Sequence, residues 1–347
     1  MPTTVTHTIK ASGGDYTSLA SWEAAQQRNL VSLDEITVAE CYGFVDTTVT
    51  TVSGWTTGIN NYIEIRAHPS AKATIPMTTD GSRYLLRVPA AGSTTALNIQ
   101  QQYTRVYDIQ VENLGLNTNN YGFVPTTNNT FRNCVARLSF ADAGTPWFFQ
   151  GVSNVRLQNC VGIVDLTGGN GRCFRHDNAS VQYDNCTAVS GGTAANFVVN
   201  GVTANGIILR NCLSINFRGT GLCYSIAGTG LAVPLAVDLI KSTNNVSNDG
   251  SAFGTNPLLN QRPIFVNSSI GDFHLDWMDA VAQGNGANLS ASDTGSFSDD
   301  FDGNTRTSPW SIGALNVSNS PNAIRLGNTG NSNIQLSSTG TSPITIR

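Results

Sequence analysis

The sequence is poor in charge and has no long apolar run. Charged residues make up 12% of the 347 residues, about half the share usual in globular domains. The net charge is −4 and no basic run occurs, which argues against a nucleic-acid partner. No stretch approaches the roughly 20 apolar residues that span a membrane, and the opening MPTTVTHTIK does not have the pattern of a secretion signal. We therefore expect no membrane partner, no export, and a chain that meets the reducing cytoplasm.

Cysteine occurs seven times, and an odd number in a reducing compartment predicts free thiols. Four of the seven follow an asparagine at intervals of 26 residues. The four pairs are Asn133-Cys134, Asn159-Cys160, Asn185-Cys186 and Asn211-Cys212. A large apolar or aromatic residue stands three positions before each of these cysteines, and the alternation around it has the period of a strand.

The repeat indicates the fold. A second, shorter strand is predicted ahead of each Asn-Cys strand, at 121–124, 147–150, 173–176, 197–200 and 222–226. A repeat of 26 residues that contains only strands and turns is too short for a propeller blade and lacks the helices of leucine-rich repeats. It predicts an all-β solenoid, a parallel β-helix with two or three strands per coil, stacked about 4.8 Å apart.

Both ends depart from the repeat. Residues 15–29 form the one convincing helix, with Thr17 or Ser18 as its N-cap, and we expect this helix to cover the N-terminal end of the solenoid. Short strands recur every ten residues near the C-terminus and cannot bury themselves alone, so we expect them to pack on a neighbouring subunit or another protein. The predicted division is an N-terminal cap at 1–30, a β-helix at 31–316 and an assembly tail at 317–347.

Segments near both ends resemble a known superfamily. GGDYTSLASWEAA near the start, and DFHLDWMDAVAQGNGANL and DDFDGNTRTSPWSIGAL near the end, are similar to right-handed parallel β-helix proteins of the pectate-lyase-like superfamily, in a branch common among bacterial surface proteins and bacteriophage structural proteins. The resemblance covers residues 10–316. It implies an acidic-Gly-Arg turn, matched at 302–306, and an Ile-Gly-Ala strand, matched at 312–314, although Ser311 replaces the usual carboxylate. This fold carries lyases, hydrolases, adhesins and virion parts.

The Asn-Cys pairs have several chemical interpretations. A zinc site needs four ligands that converge on one point, whereas cysteines one coil apart form a line. Disulfides between adjacent coils would be strained, and a nucleophile needs no copies. We therefore interpret the pairs as a structural ladder, in which each Asn adopts a left-handed turn and Cys fills a corner. Whether each Cys or the following residue, such as Val135 or Val161, points inward stays open.

The candidate catalytic residues concentrate on one coil. Arg172, Arg175, His176 and Asp177 lie together in an otherwise uncharged region. A lyase would use a basic residue to take the proton beside a uronate carboxylate, and a glycosidase would use a carboxylate pair. The neighbouring coils supply no acid or base at these positions, so we favour a solvated face or subunit contact over catalysis. The carboxylates that neighbouring coils could bring near this strand are Asp165 and Asp184.

Three consecutive aromatic residues, Trp147, Phe148 and Phe149, suggest a binding surface. Strand alternation places two rings on one face and the middle ring on the other. If that other face is solvent, its ring could stack on a sugar or pack on a partner.

An acidic turn is the candidate metal site. Asp300, Asp302 and Asn304, preceded by Asp299, could hold calcium through oxygen ligands, but the spacing and glutamate of an EF-hand are missing. We expect a structural role for this turn and no cofactor, with calcium as the alternative. The four histidines are scattered singly and predict no metal pair.

The functional expectation is a non-enzymatic bacteriophage virion protein, a capsid decoration, head spike or tail fibre assembled in the cytoplasm. It would form a homotrimer, contact other capsid or tail proteins through its C-terminal tail, and meet host surface glycans. The alternatives are a tailspike-type polysaccharide depolymerase, either lyase or glycosidase, and a bacterial surface adhesin that binds glycans.

Overall fold

A computed structural model describes most of the chain. The described residues are 1–89, 95–115, 120–138, 144–164, 171–177, 180–200, 206–218, 220–227, 241–291, 297–317, 325–328 and 334–337. The first half contains two α-helices and a 3-10 helix at Pro69–Ala71, and a second 3-10 helix lies at Ser268–Ile270. The α-helices are α1, Leu19–Gln26, and α2, Leu30–Leu33.

Short β-strands make up the rest of the regular structure. Up to residue 138 they are β1 Thr3–Ile9, β2 Glu35–Cys41, β3 Phe44–Asp46, β4 Thr50–Val52, β5 Ile63–Ala67, β6 Tyr84–Val88, β7 Thr95–Ile99, β8 Thr104–Tyr107, β9 Gln110–Asn113, β10 Tyr121–Val124, β11 Thr130–Arg132 and β12 Val135–Leu138. After that they are β13 Thr145–Gln150, β14 Val155–Gln158, β15 Val161–Val164, β16 Phe174–Asp177, β17 Val181–Asp184, β18 Thr187–Ser190, β19 Phe197–Asn200, β20 Ile208–Arg210, β21 Leu213–Asn216, β22 Tyr224–Ala227, β23 Val246–Ser247, β24 Phe265–Asn267, β25 Asp272–Leu275, β26 Arg325–Asn328 and β27 Ile334–Ser337.

The strands form three parallel sheets that run the length of a solenoid. Sheet 1 has the order β1, β2, β5, β8, β11, β14, β17, β20; sheet 2 has β3, β6, β9, β12, β15, β18, β21, β23; sheet 3 has β4, β7, β10, β13, β16, β19, β22. Each coil therefore contributes one strand to each sheet, as β11, β12 and β13 do. The predicted fold is confirmed: the chain is an all-β, right-handed parallel β-helix.

The interior is filled by repeated side chains from successive coils. One inward position of sheet 3 is aromatic in five strands, and the rings stack with centroids 4.3, 5.9, 4.7 and 5.0 Å apart. The five residues are Phe123, Trp147, Phe174, Phe197 and Tyr224. Such stacks combine a large buried area with favourable ring geometry, so they align the coils that carry the outward side chains.

The N-terminal helix covers the first coil as predicted. Ser18 is its N-cap: the Ser18 hydroxyl accepts from the backbone N–H of Ser21, and the Ser21 hydroxyl accepts from the N–H of Ser18. Leu19 and Trp22 are fully buried, and Trp22 packs against Trp55. The reciprocal cap satisfies two N–H groups, and the buried face closes the end of the core.

After the last strand of the solenoid the chain returns along its outside. Residues 297–317 pack on the outward face of sheet 2, where Phe301, Ala314 and Leu315 join Val135 and Val161 in one buried cluster. The residues that follow the cysteines therefore point outward and are still buried. In the tail, β26 and β27 pair antiparallel, and the third predicted strand, near 344, lies outside the described residues.

Candidate functional site

The four Asn-Cys pairs form the bends between sheets 1 and 2. Each Asn has φ of 52° or 53°, a left-handed conformation that Asn tolerates better than most residues. The bend reverses the alternation, so all four cysteines lie in the core. The Asn159 Nδ2 atom donates to Asn133 Oδ1 at 3.1 Å, and Asn211 Nδ2 donates to Asn185 Oδ1 at 2.8 Å.

The cysteine side chains of these pairs are placed as small core residues. Each Sγ lies near the carbonyl oxygen two residues earlier, as in Cys134 to Arg132 at 3.3 Å and Cys160 to Gln158 at 3.4 Å. Burial raises the pKa of the Cys134 and Cys186 thiols well above the ordinary value. A buried, protonated thiol is a poor nucleophile and a poor metal ligand, which supports a structural role for Cys134 and Cys186.

The charged strand β16 places its side chains on opposite faces. Arg175 and Asp177 point outward and form an ion pair, with Arg175 Nη2 at 2.7 Å from Asp177 Oδ2. The Arg175 guanidinium also lies 5.1 Å from the centre of the Phe148 ring. Arg172 is half-buried just before the strand, and burial together with the nearby Arg175 lowers its pKa.

His176 points into the core and is 1% exposed. Its ring stacks on Phe149 at 5.0 Å; Nδ1 lies 2.8 Å from the carbonyl oxygen of Val198, and Nε2 contacts the hydroxyl of Tyr183. Burial lowers its pKa to about 4. The alternation of β16 thus separates His176 from Arg175 and Asp177, and His176 cannot exchange protons with a ligand at the surface.

The two other carboxylate candidates do not extend this cluster. Asp184 lies on sheet 1 rather than sheet 3, is 1% exposed, and binds the Arg210 guanidinium through both of its oxygens, at 2.7 and 2.9 Å. Such a bidentate pair joins neighbouring coils. Asp165 lies outside the described residues. The described residues therefore do not bring Asp177 and Asp184 together as a catalytic pair.

The aromatic triplet alternates as predicted, but its outward ring is covered. Trp147 and Phe149 are fully buried in the core, whereas Phe148 faces outward with 8% of the residue exposed. The Tyr121 ring stacks on Phe148 with centroids 4.6 Å apart, and Arg175 lies over the same ring. The outward ring is therefore nearly buried and offers little surface to a sugar.

The acidic turn binds its own main chain. Asp300 is 1% exposed, and its Oδ1 accepts from the N–H groups of Asp302 and Asn304 at 3.1 and 2.8 Å. Burial raises the pKa of Asp300. Asp302 instead accepts from His274 Nε2 at 2.7 Å, and the other ring nitrogen of His274 lies 2.5 Å from Asp272. Hydrogen bonds therefore already engage Asp300 Oδ1 and Asp302 Oδ2, two of the oxygens that could bind calcium at this turn.

Arg306, next to the acidic turn, holds the returning segment against the solenoid. It is 5% exposed, and its Nη2 donates to Gly313 O, Ala314 O and Asn159 Oδ1 at 2.9, 2.9 and 3.2 Å. Burial lowers its pKa to about 10, which leaves the guanidinium charged at neutral pH. Through Asn159, Arg306 also contacts the Asn ladder. One atom of the ladder, Asn185 Nδ2, has no acceptor among the described residues.

A polar and aromatic surface on sheet 1 was not predicted. The outward side chains of β2, β5 and β8, with the preceding Tyr62, form what we call the sheet 1 face. Its members are Glu40, Tyr62, Glu64, Arg66, Arg105 and Tyr107. The alternating polar residues of the YIEIRA and TRVY segments carried the signal, but their register on neighbouring coils was needed to bring them together.

The Arg66 guanidinium forms ion pairs with both acidic side chains of the sheet 1 face. Arg66 Nη2 lies 3.1 Å from Glu40 Oε1, and Arg66 Nη1 lies 2.9 Å from Glu64 Oε1. The Arg105 guanidinium, in register with Glu64 on the next strand, lies 3.5 Å from the centre of the Tyr62 ring. Burial raises the pKa of the neighbouring Tyr107 to about 12. The surface thus presents fixed donors, acceptors and a ring within one patch.

Clustered metal ligands and membrane-spanning helices are absent from the described residues. Among the described residues, no group of three or more His, Cys, Asp or Glu side chains is arranged to hold a metal ion. The same part of the chain contains no helix with the length and apolar character of a membrane span.

Comparison with known proteins gives a fold-level likeness. No family model and no curated protein matches the sequence. The deglycosylated pectin methylesterase from Aspergillus niger is similar in structure, with a TM-score of 0.46 and 14% identity over 73% of this chain and 82% of that one. A second structure of that enzyme, penultimately deglycosylated, gives a TM-score of 0.44 at the same identity and coverage. At such identity the likeness concerns the fold and transfers no activity.

Proposed function

We propose that this protein is a structural β-helix that binds polysaccharide on its sheet 1 face without cleaving it. The proposal rests on one observation. Arg66 bonds to both Glu40 and Glu64, and the Arg105–Tyr62 pair lies beside them. Sugars offer hydroxyl groups that both donate and accept, and apolar ring faces that pack on aromatic side chains. The sheet 1 face offers the complementary groups on strands about 4.8 Å apart.

The other two outer faces are less suited to a glycan. Residues 297–317 cover the outward apolar side chains of sheet 2. On sheet 3, Phe148 and Val198 face outward but are only 8% and 6% exposed. Within the described parts of the chain, the sheet 1 face is therefore the outer surface that best combines accessible charge with aromatic rings.

Binding without cleavage follows from how the carboxylates are held. A glycosidase needs one protonated carboxylic acid and a second carboxylate across the scissile bond. Glu40 and Glu64 both bond to one guanidinium, that of Arg66, at 3.1 and 2.9 Å. The Arg66 guanidinium therefore bridges the two carboxylates, where a glycosidase would hold the scissile bond, and this favours a binding role over a depolymerase.

The assembly in which this binding would operate is also a proposal. The sequence resemblance to bacteriophage structural proteins supports a virion component whose tail contacts other virion proteins. The same surface would serve a bacterial adhesin, so the glycan-binding proposal does not depend on the source of the protein.

Binding to purified capsular polysaccharides and lipopolysaccharides, measured by affinity electrophoresis, tests the function. We expect retardation of the protein by at least one of these polymers, and Arg105→Ala or Tyr62→Ala should weaken binding at least tenfold, since such contacts contribute a kcal/mol or more. Arg175→Ala on sheet 3 is the matched control and should bind like the natural chain. Equal weakening by all three variants, or no retardation by any polymer, would contradict the proposal.

A further inference from the structure

Strand β1 is the outermost strand of sheet 1. The hydrogen bonds of Thr8, near the end of β1, show which backbone groups of the strand point away from β2. Beyond β2, the Thr8 N–H donates to Asp15 Oδ2 at 2.7 Å, and the Thr8 carbonyl accepts from the N–H of Tyr16 at 3.1 Å. Both backbone groups of Thr8 therefore point away from β2. Because the backbone groups of a strand alternate in direction, those of Thr6 and Thr4 point to the same free edge.

Some backbone groups at this edge are available for hydrogen bonding. Among the described residues, none donates to or accepts from the outward N–H and C=O groups of Thr4 and Thr6, whereas Tyr16 and Asp15 cover Thr8. At the opposite end of the solenoid, bridges from Thr243 and Leu258 continue sheets 1 and 2 beyond their last strands. Four exposed backbone groups in a row are a template for another strand.

The usual protection of an edge is missing from β1. Its sequence TTVTHTI contains no lysine, proline or acidic residue, and its pairing with β2 runs without a bulge over seven residues. Two exposed apolar side chains lie beside the start of the strand, Val31 at 48% and Leu33 at 54% exposed. Their position follows from Asp34, which comes directly after Leu33 and whose carbonyl accepts from the N–H of Thr3 at 2.8 Å. Natural edges without such protection are typically paired.

We propose that β1 pairs antiparallel with β1 of a second copy of this chain, about a two-fold axis at Val5. In that register Thr4 lies opposite Thr6 of the second copy, and Thr6 lies opposite Thr4. These are narrow hydrogen-bonded pairs, so the four open groups of each copy form four hydrogen bonds. The contact places threonine against threonine, which is a favourable cross-strand pair, and brings no like charges together. The two solenoids join end to end and share one continuous sheet.

The mass of the full chain in solution tests the interface, measured by light scattering during size-exclusion chromatography over a concentration series. We expect a species of twice the 36.8 kDa chain mass. Thr6→Pro removes the outward N–H and leaves the bonds to β2 in place, and it should raise the dissociation constant of the dimer at least tenfold. Thr6→Ala keeps that N–H and should leave the dimer intact.

A second variant covers the case in which the proline variant fails to fold. Thr6→Lys keeps every backbone group of β1 but places lysine at the two-fold contact, and we expect monomers from it as well. A natural chain that stays monomeric at 100 µM, or an oligomer that persists in both Thr6→Pro and Thr6→Lys, would overturn the proposal. A trimer unchanged by these variants would do the same.

Discussion

Arg306 donates to the carbonyls of Gly313 and Ala314 and to the Asn159 side chain from a site where 5% of the residue is exposed. At the residue scale it connects two parts of the chain that are 147 positions apart. Such a group cannot be removed without leaving several buried acceptors unpaired, and each of those costs free energy. The arginine of the acidic-Gly-Arg turn therefore holds the C-terminal segment against the solenoid.

Replacement of Arg306 should be severe. We expect Arg306→Met to lower the free energy of unfolding by about 3–5 kcal/mol, because it leaves buried polar partners unsatisfied. The partly exposed Arg105→Met, which loses a cation–π contact with Tyr62, should cost about 1 kcal/mol or less. Urea unfolding followed by circular dichroism measures both; equal losses would contradict the assigned role.

The Asn ladder can be tested apart from its backbone conformation. Asn159 and Asn154 have φ of 52° and 54°, but Asn159 is fully buried and Asn154 exposed. Glycine keeps the left-handed turn at both positions. We expect Asn159→Gly to lower the free energy of unfolding by about 1–3 kcal/mol more than Asn154→Gly, since buried hydrogen bonds are lost. A thermal unfolding series that finds no difference would remove the ladder as a source of stability.

Much of the residue-level placement follows from the repeat, and part of it does not. The spacing of 26 residues, together with the tolerance of Asn for left-handed turns, predicts one line of Asn-Cys bends. It leaves open whether Cys134 or Val135 points inward, because the answer depends on the reversal of alternation at Asn133. The cover over Phe148 was not predictable either, since Tyr121 and Arg175 come from neighbouring coils.

At the scale of elements, two histidines have opposite electrostatic settings. On β25, burial favours neutral His274, but the carboxylates of Asp302 and Asp272 outweigh it and raise the pKa of His274 to about 9. On β16, burial in the core lowers the pKa of His176 to about 4. The first histidine ties β25 to the acidic turn as a cation, and the second packs between Phe149 and Tyr183 as a neutral ring.

At alkaline pH, the free energy of unfolding should depend on the protonation of His274. A folded pKa above the ordinary 6.5 contributes stability that is fully present below pH 6.5 and is lost as pH rises through 9. We therefore expect the urea midpoint of the natural chain to fall between pH 7 and 9.5, and His274→Gln to flatten that decline. A variant that keeps the full decline would show that His274 is not its source.

At acid pH, the free energy of unfolding should depend on the protonation of His176, in the opposite direction: stability is lost as pH falls. Its lowered pKa contributes stability that is present above pH 6.5 and is lost as pH falls toward 4. His176→Phe keeps a ring beside Phe149 and should make the urea midpoint less dependent on pH between 6.5 and 4, while the alkaline decline remains. The His274 variant serves as the matched control, because it should leave the acid side unchanged.

At the scale of the whole molecule, the repeat predicted the fold but not the course of the last part of the chain. Strand alternation and fixed spacing suffice to predict a parallel β-helix with a helical N-terminal cap. Residues 297–317 have no such spacing, so nothing in the sequence indicated that Asp299 would lie beside Asn159. The same limit hid the sheet 1 face, which depends on register between coils of unequal length.

The three outer faces differ: residues 297–317 pack on part of sheet 2, the outward side chains of Phe148 and Val198 on sheet 3 are nearly covered, and sheet 1 carries the face for which we propose polysaccharide binding without cleavage. The molar mass of a capsular polysaccharide or lipopolysaccharide, followed by size-exclusion light scattering with and without the protein, tests binding and cleavage together. We predict that the polymer keeps its mass and elutes with bound protein, and that Arg105→Ala abolishes this co-elution. A falling polymer mass would contradict the absence of cleavage, and a polymer that elutes free of protein would contradict the proposed binding.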